Sequence, residues 1–267
     1  MDISKDVLII DDEKVILDAI QKIANLENLT SDACLDVDEA LEKLVTKKYR
    51  LIISDIMMPG KDGFQLLQIL NQKRIATPVI ITTGYSTLEN AVKVLYDGAI
   101  GFIPKPFTID ELISLISRGL VYQKLFEDKF KLNKTSSNGL LAYVPCPTKY
   151  YRLGHDSWLS YSSEGTIKVG VTDLFLKSIN SVHLLDLMKM GETIYQGGVC
   201  AKIVDNKELV HQLLSPVSGK IIEINNEIFE TKNLLEKDPY FNGWLYRIIP
   251  NNIDSELSNL TPCSSDF

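Results

Sequence analysis

The segment RLIISDIMMPGKDG, residues 50–63, constrains the fold more than any other part of the sequence. The apolar run that begins at Leu51 contains β-branched residues and predicts a strand buried on both faces, as in the parallel sheets of α/β proteins. This run ends at Asp55, and the Pro-Gly and Asp-Gly pairs that follow interrupt regular structure. A carboxylate is therefore expected at the carboxyl end of a buried strand, where open α/β sheets place their ligand sites.

Three other apolar runs also end in polar residues. VLII ends at Asp11 and Asp12, PVIITT ends at Thr83, and IGFIPKPF contains Lys105 near its end. On its own, Asp55 is equally consistent with a residue that only caps a turn. If the four strands are parallel, however, all these side chains meet at one edge of the sheet.

The predicted cluster has a definite chemistry. Neighbouring carboxylates repel one another at pH 7 unless a cation lies between them, and oxygen ligands without His or Cys favour a hard ion such as Mg²⁺. Beside such an ion, Asp55 is suited to act as a nucleophile towards a phosphoryl group. The ammonium of Lys105 and the hydroxyl of Thr83 are suited to hold phosphoryl oxygens.

The motifs VLIIDDE, SDIMMPGKDGF, PVIITTGYS and GAIGFIPKPF, in this order, resemble the landmarks of the receiver domain of two-component response regulators. Over roughly the first 120 residues, this resemblance implies a flavodoxin-like α/β fold, a doubly wound parallel sheet of five strands in the order 2-1-3-4-5. It also implies that Asp55 is the phosphoacceptor and that the Lys105–Pro106 bond is cis. The other site positions are carried over residue by residue: Mg²⁺ ligands Asp12, Asp11 (mainly through water), Asp55 and the backbone carbonyl of Met57; phosphoryl-binding Thr83 and Lys105; and the aromatic switch residue Phe102.

Composition limits the alternatives. The 267 residues suit about two domains. The formal charge is −7, and the sequence shows no basic stripe of the kind that nucleic-acid binding needs. No apolar run approaches the length of a membrane span, and the amino terminus lacks the basic region of a signal peptide. The cysteines show no Cys-x-x-Cys spacing, which indicates a reducing, cytoplasmic setting: they are Cys34, Cys146, Cys200 and Cys263.

The last helix predicted for the first domain, from Thr108 onward, keeps an apolar spacing beyond the expected end of that domain. It either packs only on its own sheet or also contacts the second domain or another protomer, so a homodimer is one alternative. The polar, turn-rich stretch KLNKTSSNG indicates a linker. We therefore expect a receiver domain over residues 1–130, a linker over 131–139, a second domain over 140–250 and a tail over 251–267.

The second half of the chain alternates apolar and polar residues between Gly and Pro turns, which predicts a small β-rich domain of sandwich or barrel type. Segments between Tyr143 and Pro250 resemble the H protein of the glycine cleavage system, which carries lipoic acid: YYRLGHDSW, GTIKVGVTD, LLDLMKMGETIYQGG, SPVSGKIIEIN and EKDPYFNGWLYRI. The resemblance implies a lipoyl-type barrel-sandwich fold.

The lysine that carries lipoate in H proteins is missing. Counted back from the Pro-Val-Ser-Gly turn, its position in this sequence is Glu208, and the nearest lysine, Lys207, comes one residue earlier. A shift of one residue turns a side chain to the opposite face of a strand, so lipoate is not expected. His211 is interpreted as a solvent-facing residue, and Asn180, where the family usually has Gly, is expected in the left-handed conformation.

These observations predict a phosphorylation-controlled, cytoplasmic response regulator that is not an enzyme, apart from slow self-dephosphorylation beside the bulky Met57 and Tyr85. Phosphate would pass from a histidine kinase or phosphotransfer protein to Asp55 with Mg²⁺, and the output would be a contact between the unlipoylated second domain and an unidentified protein. The alternative is a regulated lipoyl carrier, modified at Lys207, that serves redox or one-carbon enzymes. A transcription regulator is the weakest alternative, since no helix-turn-helix pattern follows the linker. Neither nucleic acid nor a membrane is expected as a partner.

Overall fold

The structure is a computed structural model that describes residues 5–134, 142–231 and 233–266. The chain divides into two compact units, one of residues 1–87 and 97–126 and the other of residues 88–96 and 127–267. Over the described residues, no helix is both long enough and apolar enough to cross a membrane.

A five-stranded parallel sheet forms the centre of the first unit, and the predicted order β2-β1-β3-β4-β5 is confirmed. Every residue of β1, β3 and β4 is buried, which explains their continuous apolar sequences. The strands are β1 (Val7–Ile10), β2 (Ser31–Cys34), β3 (Leu51–Asp55), β4 (Val79–Thr83) and β5 (Gly101–Pro104). The helices that follow these strands in the chain are α1 (Lys14–Leu26), α2 (Val37–Thr46), α3 (Gly63–Gln72), α4 (Leu88–Tyr96) and α5 (Ile109–Lys134).

Helix ends follow signals in the sequence. Asp36 accepts a hydrogen bond from the backbone N–H of Glu39 and caps α2. Asp62 caps α3 through a reciprocal pair of hydrogen bonds with Gln65. Helix α5 continues to Lys134, so the predicted linker begins inside this helix, and its later part lies outside the described residues.

Two antiparallel sheets make the second unit rich in β-structure, as predicted. One sheet has the strand order β10-β13-β14-β8-β7-β6-β15 and the other the order β12-β11-β9. Large side chains of the core are fully buried, among them Trp158, Phe175 and Tyr246. The elements are β6 (Tyr151–Leu153), β7 (Ser157–Tyr161), β8 (Ile167–Val171), α6 (Asp173–Ser178), β9 (Val182–Leu187), β10 (Thr193–Ile194), β11 (Val199–Asp205), β12 (Val210–Leu214), β13 (Gly219–Ile224), α7 (Glu227–Glu230), α8 (Leu234–Lys237), β14 (Trp244–Pro250), α9 (Ile253–Leu257) and β15 (Thr261–Pro262).

The C-terminal segment, predicted as a tail, takes part in this packing. It adds α9 and β15, and β15 pairs with β6 at the edge of the seven-stranded sheet. Leu260 and Cys263 are buried, and Cys263 shares an aromatic cluster with Cys146. All four cysteines are free thiols. The residues after β14 therefore contribute to the core of the second unit.

Candidate functional site

Asp11, Asp12 and Asp55 lie together at the carboxyl ends of β1 and β3. One carboxylate oxygen from each lies within 4.8 Å of the other two. Asp11 and Asp55 are buried, whereas Asp12 is exposed. The two strands bring them together because they pair in parallel, with Ile10 opposite Ser54, so that each strand delivers its acid at the next position.

Lys105 brings an ammonium group to the same place from the end of β5. Its Nζ donates a hydrogen bond to Asp11 Oδ2 at 2.6 Å and lies 3.4 Å from Asp55 Oδ1. Its backbone N–H donates to the carbonyl of Thr83, and the Lys105–Pro106 bond is cis, as the resemblance implies. The cluster therefore sets three carboxylates against one ammonium group, which leaves an excess of negative charge.

Asp55 is the least well satisfied member of the cluster. Burial raises the pKa of its carboxyl group; Lys105 lowers that pKa, Asp11 raises it again, and the net change is a rise. Its Oδ1 atom is buried without a hydrogen-bond partner, although Lys105 lies within ion-pair distance. A hard divalent cation such as Mg²⁺ fits these residues, since it would bind the open carboxylate oxygen and offset the negative charge.

The loop after β3 returns to the site through a close backbone approach at Gly63. A Cβ atom at this position would lie 2.5 Å from the carbonyl oxygen of Asp55 and 2.9 Å from Cα of Ile56. The N–H of Gly63 donates to the Ile56 carbonyl. Glycine is needed here because α3 begins directly against the end of β3, where a side chain has no room.

The other residues carried over from the resemblance lie on the neighbouring strands and loops. Thr83 is buried at the end of β4, and its Oγ1 accepts a hydrogen bond from the N–H of Tyr85 at 3.0 Å. Phe102 in β5 is half-buried. The side chains of Met57 and Tyr85 are 55% and 70% exposed, so both bulky residues are accessible to solvent in the loops that follow β3 and β4.

In the second unit, the β11–β12 hairpin contains Glu208, the position that the resemblance to H proteins assigns to the lipoate-bearing lysine. A turn over Asn206 and Lys207 joins the strands, and both Lys207 and Glu208 are exposed. Glu208 has a φ of 65°, in the left-handed region, and its N–H donates to the carbonyl of Asp205. A glutamate therefore stands at the hairpin tip, and the nearest lysine lies within the turn before it.

A buried acid that the sequence analysis missed holds this tip in place. Asp205 Oδ1 accepts hydrogen bonds from the N–H groups of Lys207 and Leu209, and Oδ2 contacts Asn180 Nδ2 and His211 Nε2. Burial raises the pKa of Asp205, but these hydrogen bonds outweigh it and hold the pKa below its usual value. One carboxylate thus fixes the conformation of the whole turn.

Two expectations about this region are wrong. His211 is not solvent-facing but 4% exposed, because the alternation of β12 places it on the same face as the core residue Leu213. Asn180 does not adopt the left-handed conformation, and its side chain instead binds Asp205. The same alternation is the signal that identifies the network, since Asp205 shares its face of β11 with the buried Ile203.

Two family models match the chain. The response regulator receiver domain matches residues 7–117, which contain the acidic cluster. The glycine cleavage H-protein matches residues 149–264, which contain the β11–β12 hairpin and reach past the predicted end of the second domain.

The relatives and solved structures each match one part of the chain. The DNA-binding transcriptional regulator NtrC of Klebsiella pneumoniae is 37% identical over 112 residues, 42% of this chain and 24% of NtrC, so the chain spans about a quarter of that relative. A probable glycine cleavage system H protein of Thermococcus gammatolerans is 33% identical over 111 residues, 42% of this chain and 81% of the relative. The receiver domain of the Francisella response regulator 1452 is 36% identical with a TM-score of 0.42, and the match covers 44% of this chain and 97% of that chain.

Proposed function

Because residues 7–117 belong to the response regulator receiver domain family and residues 149–264 to the glycine cleavage H-protein family, we propose that this protein is a response regulator with an H-protein-like output domain. A histidine kinase or phosphotransfer protein donates phosphate to Asp55, and the second domain contacts an unidentified protein according to the phosphorylation state. The observation that carries this proposal is the meeting of Asp11, Asp12 and Asp55 with Lys105 at one edge of the sheet.

Asp55 is the nucleophile in the proposed transfer. One carboxylate oxygen attacks the phosphorus of a phosphohistidine; an O–P bond forms, the N–P bond breaks, and the imidazole nitrogen of the donor takes the electron pair. Asp11, Asp12, Asp55 and the backbone carbonyl of Met57 are the proposed holders of Mg²⁺. When bound, this ion supplies positive charge that offsets the carboxylates and the phosphoryl oxygens.

Lys105 and Thr83 are the proposed binders of the transferred phosphoryl group. The ammonium of Lys105 exchanges its hydrogen bond to Asp11 for one to a phosphoryl oxygen. The Thr83 oxygen accepts from the N–H of Tyr85, an arrangement that leaves the hydroxyl hydrogen available for donation to the phosphoryl group. The resulting movement of the loop after β4, with a change in the half-buried Phe102, passes the signal on.

The phosphoryl group is proposed to be long-lived. Met57 and Tyr85 stand two residues beyond Asp55 and Thr83, and neither offers a carboxylate or amide that could orient an attacking water. Slow hydrolysis of the acyl phosphate is the only catalysis proposed for this chain.

The second domain is proposed to act without lipoate, through protein–protein contact. Glu208 occupies the position of the modified lysine at the hairpin tip. The alternative is a regulated lipoyl carrier that serves redox or one-carbon enzymes, and the exposure of Lys207 in the adjacent turn favours it. Intact-mass measurement of the protein from its native source decides between them, because a lipoyl group on Lys207 would replace the first proposal with the second.

Labelling with acetyl phosphate tests the role of Asp55. The wild-type protein is expected to gain the mass of one phosphoryl group in the presence of Mg²⁺ and to stay unlabelled in EDTA. Asp55→Asn is expected to stay unlabelled in both. The matched control is Asp62→Asn, which keeps an efficient helix cap at the start of α3 and is expected to label like the wild type. Undiminished labelling of Asp55→Asn would remove that residue from its proposed role.

A further inference from the structure

Strand β9 has an open edge. It is the outer strand of the three-stranded sheet and pairs with β11 on one side only. Natural edge strands are commonly protected by lysine, proline, a β-bulge or a covering element. Strand β9 has the sequence VHLLDL, with neither lysine nor proline, and its one register shift against β11 lies at the amino end, between Val182 and Leu184.

The hydrogen bonds of the neighbouring hairpin fix the direction of the backbone groups. Asp205 N–H donates to the carbonyl of Leu209, towards β12, whereas Asn206 N–H donates to the carbonyl of Ser181, towards β9. Because successive residues of a strand direct their backbone groups to opposite sides, the even-numbered residues of β11 face β9.

Those even-numbered residues pair with Leu184 and Asp186, so Leu185 and Leu187 direct their N–H and C=O groups away from β11. In the part of the chain that the structure describes, neither leucine makes a backbone hydrogen bond outside the strand ladder. Among the described residues, the hydrogen bond that closes this edge lies at its amino end, where Glu236 accepts from Val182 N–H at 2.9 Å. Two residues of β9 therefore offer donors and acceptors to a further strand.

A groove of about 340 Å³ runs beside the first four residues of β9, between this strand and helices α7 and α8, and Leu185 lies at its end. Four consecutive residues of β9 line it. Neighbouring side chains of a strand point to opposite faces, so a groove lined by all four lies along the edge of the strand rather than on one of its faces. Its opposite wall is mainly apolar and includes Phe229, which is 55% exposed. The apolar lining residues are Val182, Leu184, Leu185, Ile228, Phe229, Leu234 and Leu235.

Three carboxylates lie near the groove. Asp186 lies in β9 opposite Lys202 of β11. Glu227 and Glu230 flank the two residues of α7 that line the opposite wall. All three are exposed, and among the described residues none of them forms an ion pair. The two carboxylates of α7 therefore favour a basic partner over an acidic one.

We propose that β9 and this groove bind an extended, basic segment of a partner protein, which adds a fourth strand to the three-stranded sheet. Backbone hydrogen bonds at Leu185 and Leu187 supply affinity, alternate apolar side chains of the segment fill the groove, and its Lys or Arg residues face the carboxylates. The inference rests on the proposed function, which it deepens by naming the surface and the chemistry of the partner of the output domain.

Fluorescence anisotropy with the full, unphosphorylated chain tests the side-chain pattern. The probe is the dye-labelled peptide Lys-Val-Lys-Val-Lys-Val, compared with Lys-Lys-Lys-Val-Val-Val, which loses the alternation, and Glu-Val-Glu-Val-Glu-Val, which reverses the charge. The probe is expected to bind about tenfold more tightly than either comparison peptide. Equal affinity for all three peptides would overturn the proposal.

Two methylated forms of the probe test the backbone hydrogen bonds without changing the protein. One carries N-methyl groups on the lysine residues and the other on the valine residues. Only one of these sets faces β9 in an added strand, so one form is expected to lose binding and the other to keep it. Equal behaviour of the two forms contradicts strand addition.

Phe229→Ser is the matching change in the protein and is expected to weaken the probe about tenfold with unchanged thermal unfolding. Phe241→Ser is the control, because Phe241 is also exposed but lies outside the groove lining, and it should keep full affinity. Equal affinity of the two variants, or sedimentation showing that the edge is covered by a second copy of the chain, overturns the proposal. The peptide-binding test uses no phosphate, so its failure would not change the result of the Asp55 labelling test. Failure of the labelling test would likewise not change the result of the peptide-binding test.

Discussion

The ammonium of Lys105 is bound by Asp11, with 2.6 Å between Nζ and Oδ2. The same nitrogen lies 3.4 Å from Asp55, whose buried oxygen makes no hydrogen bond. Lys105 therefore lies closer to Asp11 than to the proposed nucleophile, and we expect it to change partner once a phosphoryl oxygen arrives beside it.

Loss of the Asp55 charge should stabilise the protein when no metal is present. Burial raises the pKa of this carboxyl group, so the ionised form carries a cost in the folded state at pH 7. Asp55→Asn is expected to raise the Tm in EDTA at pH 7, measured by differential scanning fluorimetry. Asp18→Asn, a change at an exposed acid of α1, should leave the Tm unchanged. A lower Tm for Asp55→Asn would contradict the expected cost of the buried charge.

Gly63→Ala should destabilise the first unit. The added Cβ would meet the Asp55 carbonyl at 2.5 Å, so either α3 or the end of β3 must move, at a cost of about 1–3 kcal/mol. Urea unfolding measures the change. Gly84→Ala is the control, because its Cβ meets nothing within 4 Å, and a similar loss in both variants would exclude the close approach as the cause.

Asp205→Asn should destabilise the second unit by about 1–3 kcal/mol at pH 7, since the hydrogen bonds of the hairpin tip lose their charged acceptor. The pKa of Asp205 is held below its usual value of 3.8, so its stabilisation is complete above that pH and is lost as pH falls through the lower folded pKa. Urea unfolding of the wild type and the variant at several pH values should therefore converge only in strong acid. Asp186→Asn, at an exposed acid, is the control and should leave the free energy of unfolding at pH 7 unchanged.

Glu208→Lys should create a site for lipoate. Glu208 has a left-handed backbone conformation and follows a turn that Asp205 fixes. Judged by the resemblance to H proteins, the hairpin tip therefore lacks only the reactive amine. Incubation with a lipoate–protein ligase is expected to add one lipoyl group to the variant and none to the wild type, as read by intact mass. Addition to the wild type, abolished by Lys207→Arg, would instead support the carrier alternative.

Much of the first unit follows from its sequence. When apolar strands pair in parallel, the residues at their carboxyl ends meet at one edge of the sheet. The neighbouring strands β1 and β3 therefore bring Asp11 and Asp55 together. The preference of Lys105 for Asp11 over Asp55 could not be predicted, since it depends on differences of less than an ångström between side chains on separate strands.

The second unit shows what pattern alone misses. Asp205 and His211 stand on the inward faces of their strands, but their pairing with Asn180 depends on how the start of β9 folds against the β11–β12 hairpin. The open edge of β9 likewise depends on which strands pair, and local sequence does not specify that. Strand β15 has only two residues, which is too few to show a pattern.

The most direct measurement of the central proposal is the position of the phosphoryl group. The protein is incubated with acetyl phosphate and Mg²⁺, and borohydride then reduces the acyl phosphate to a homoserine residue that peptide mass spectrometry locates. Homoserine is predicted at position 55 in the wild type and at no position in EDTA. Homoserine at Asp11 or Asp12, with an unmodified Asp55, would contradict the assignment of the nucleophile.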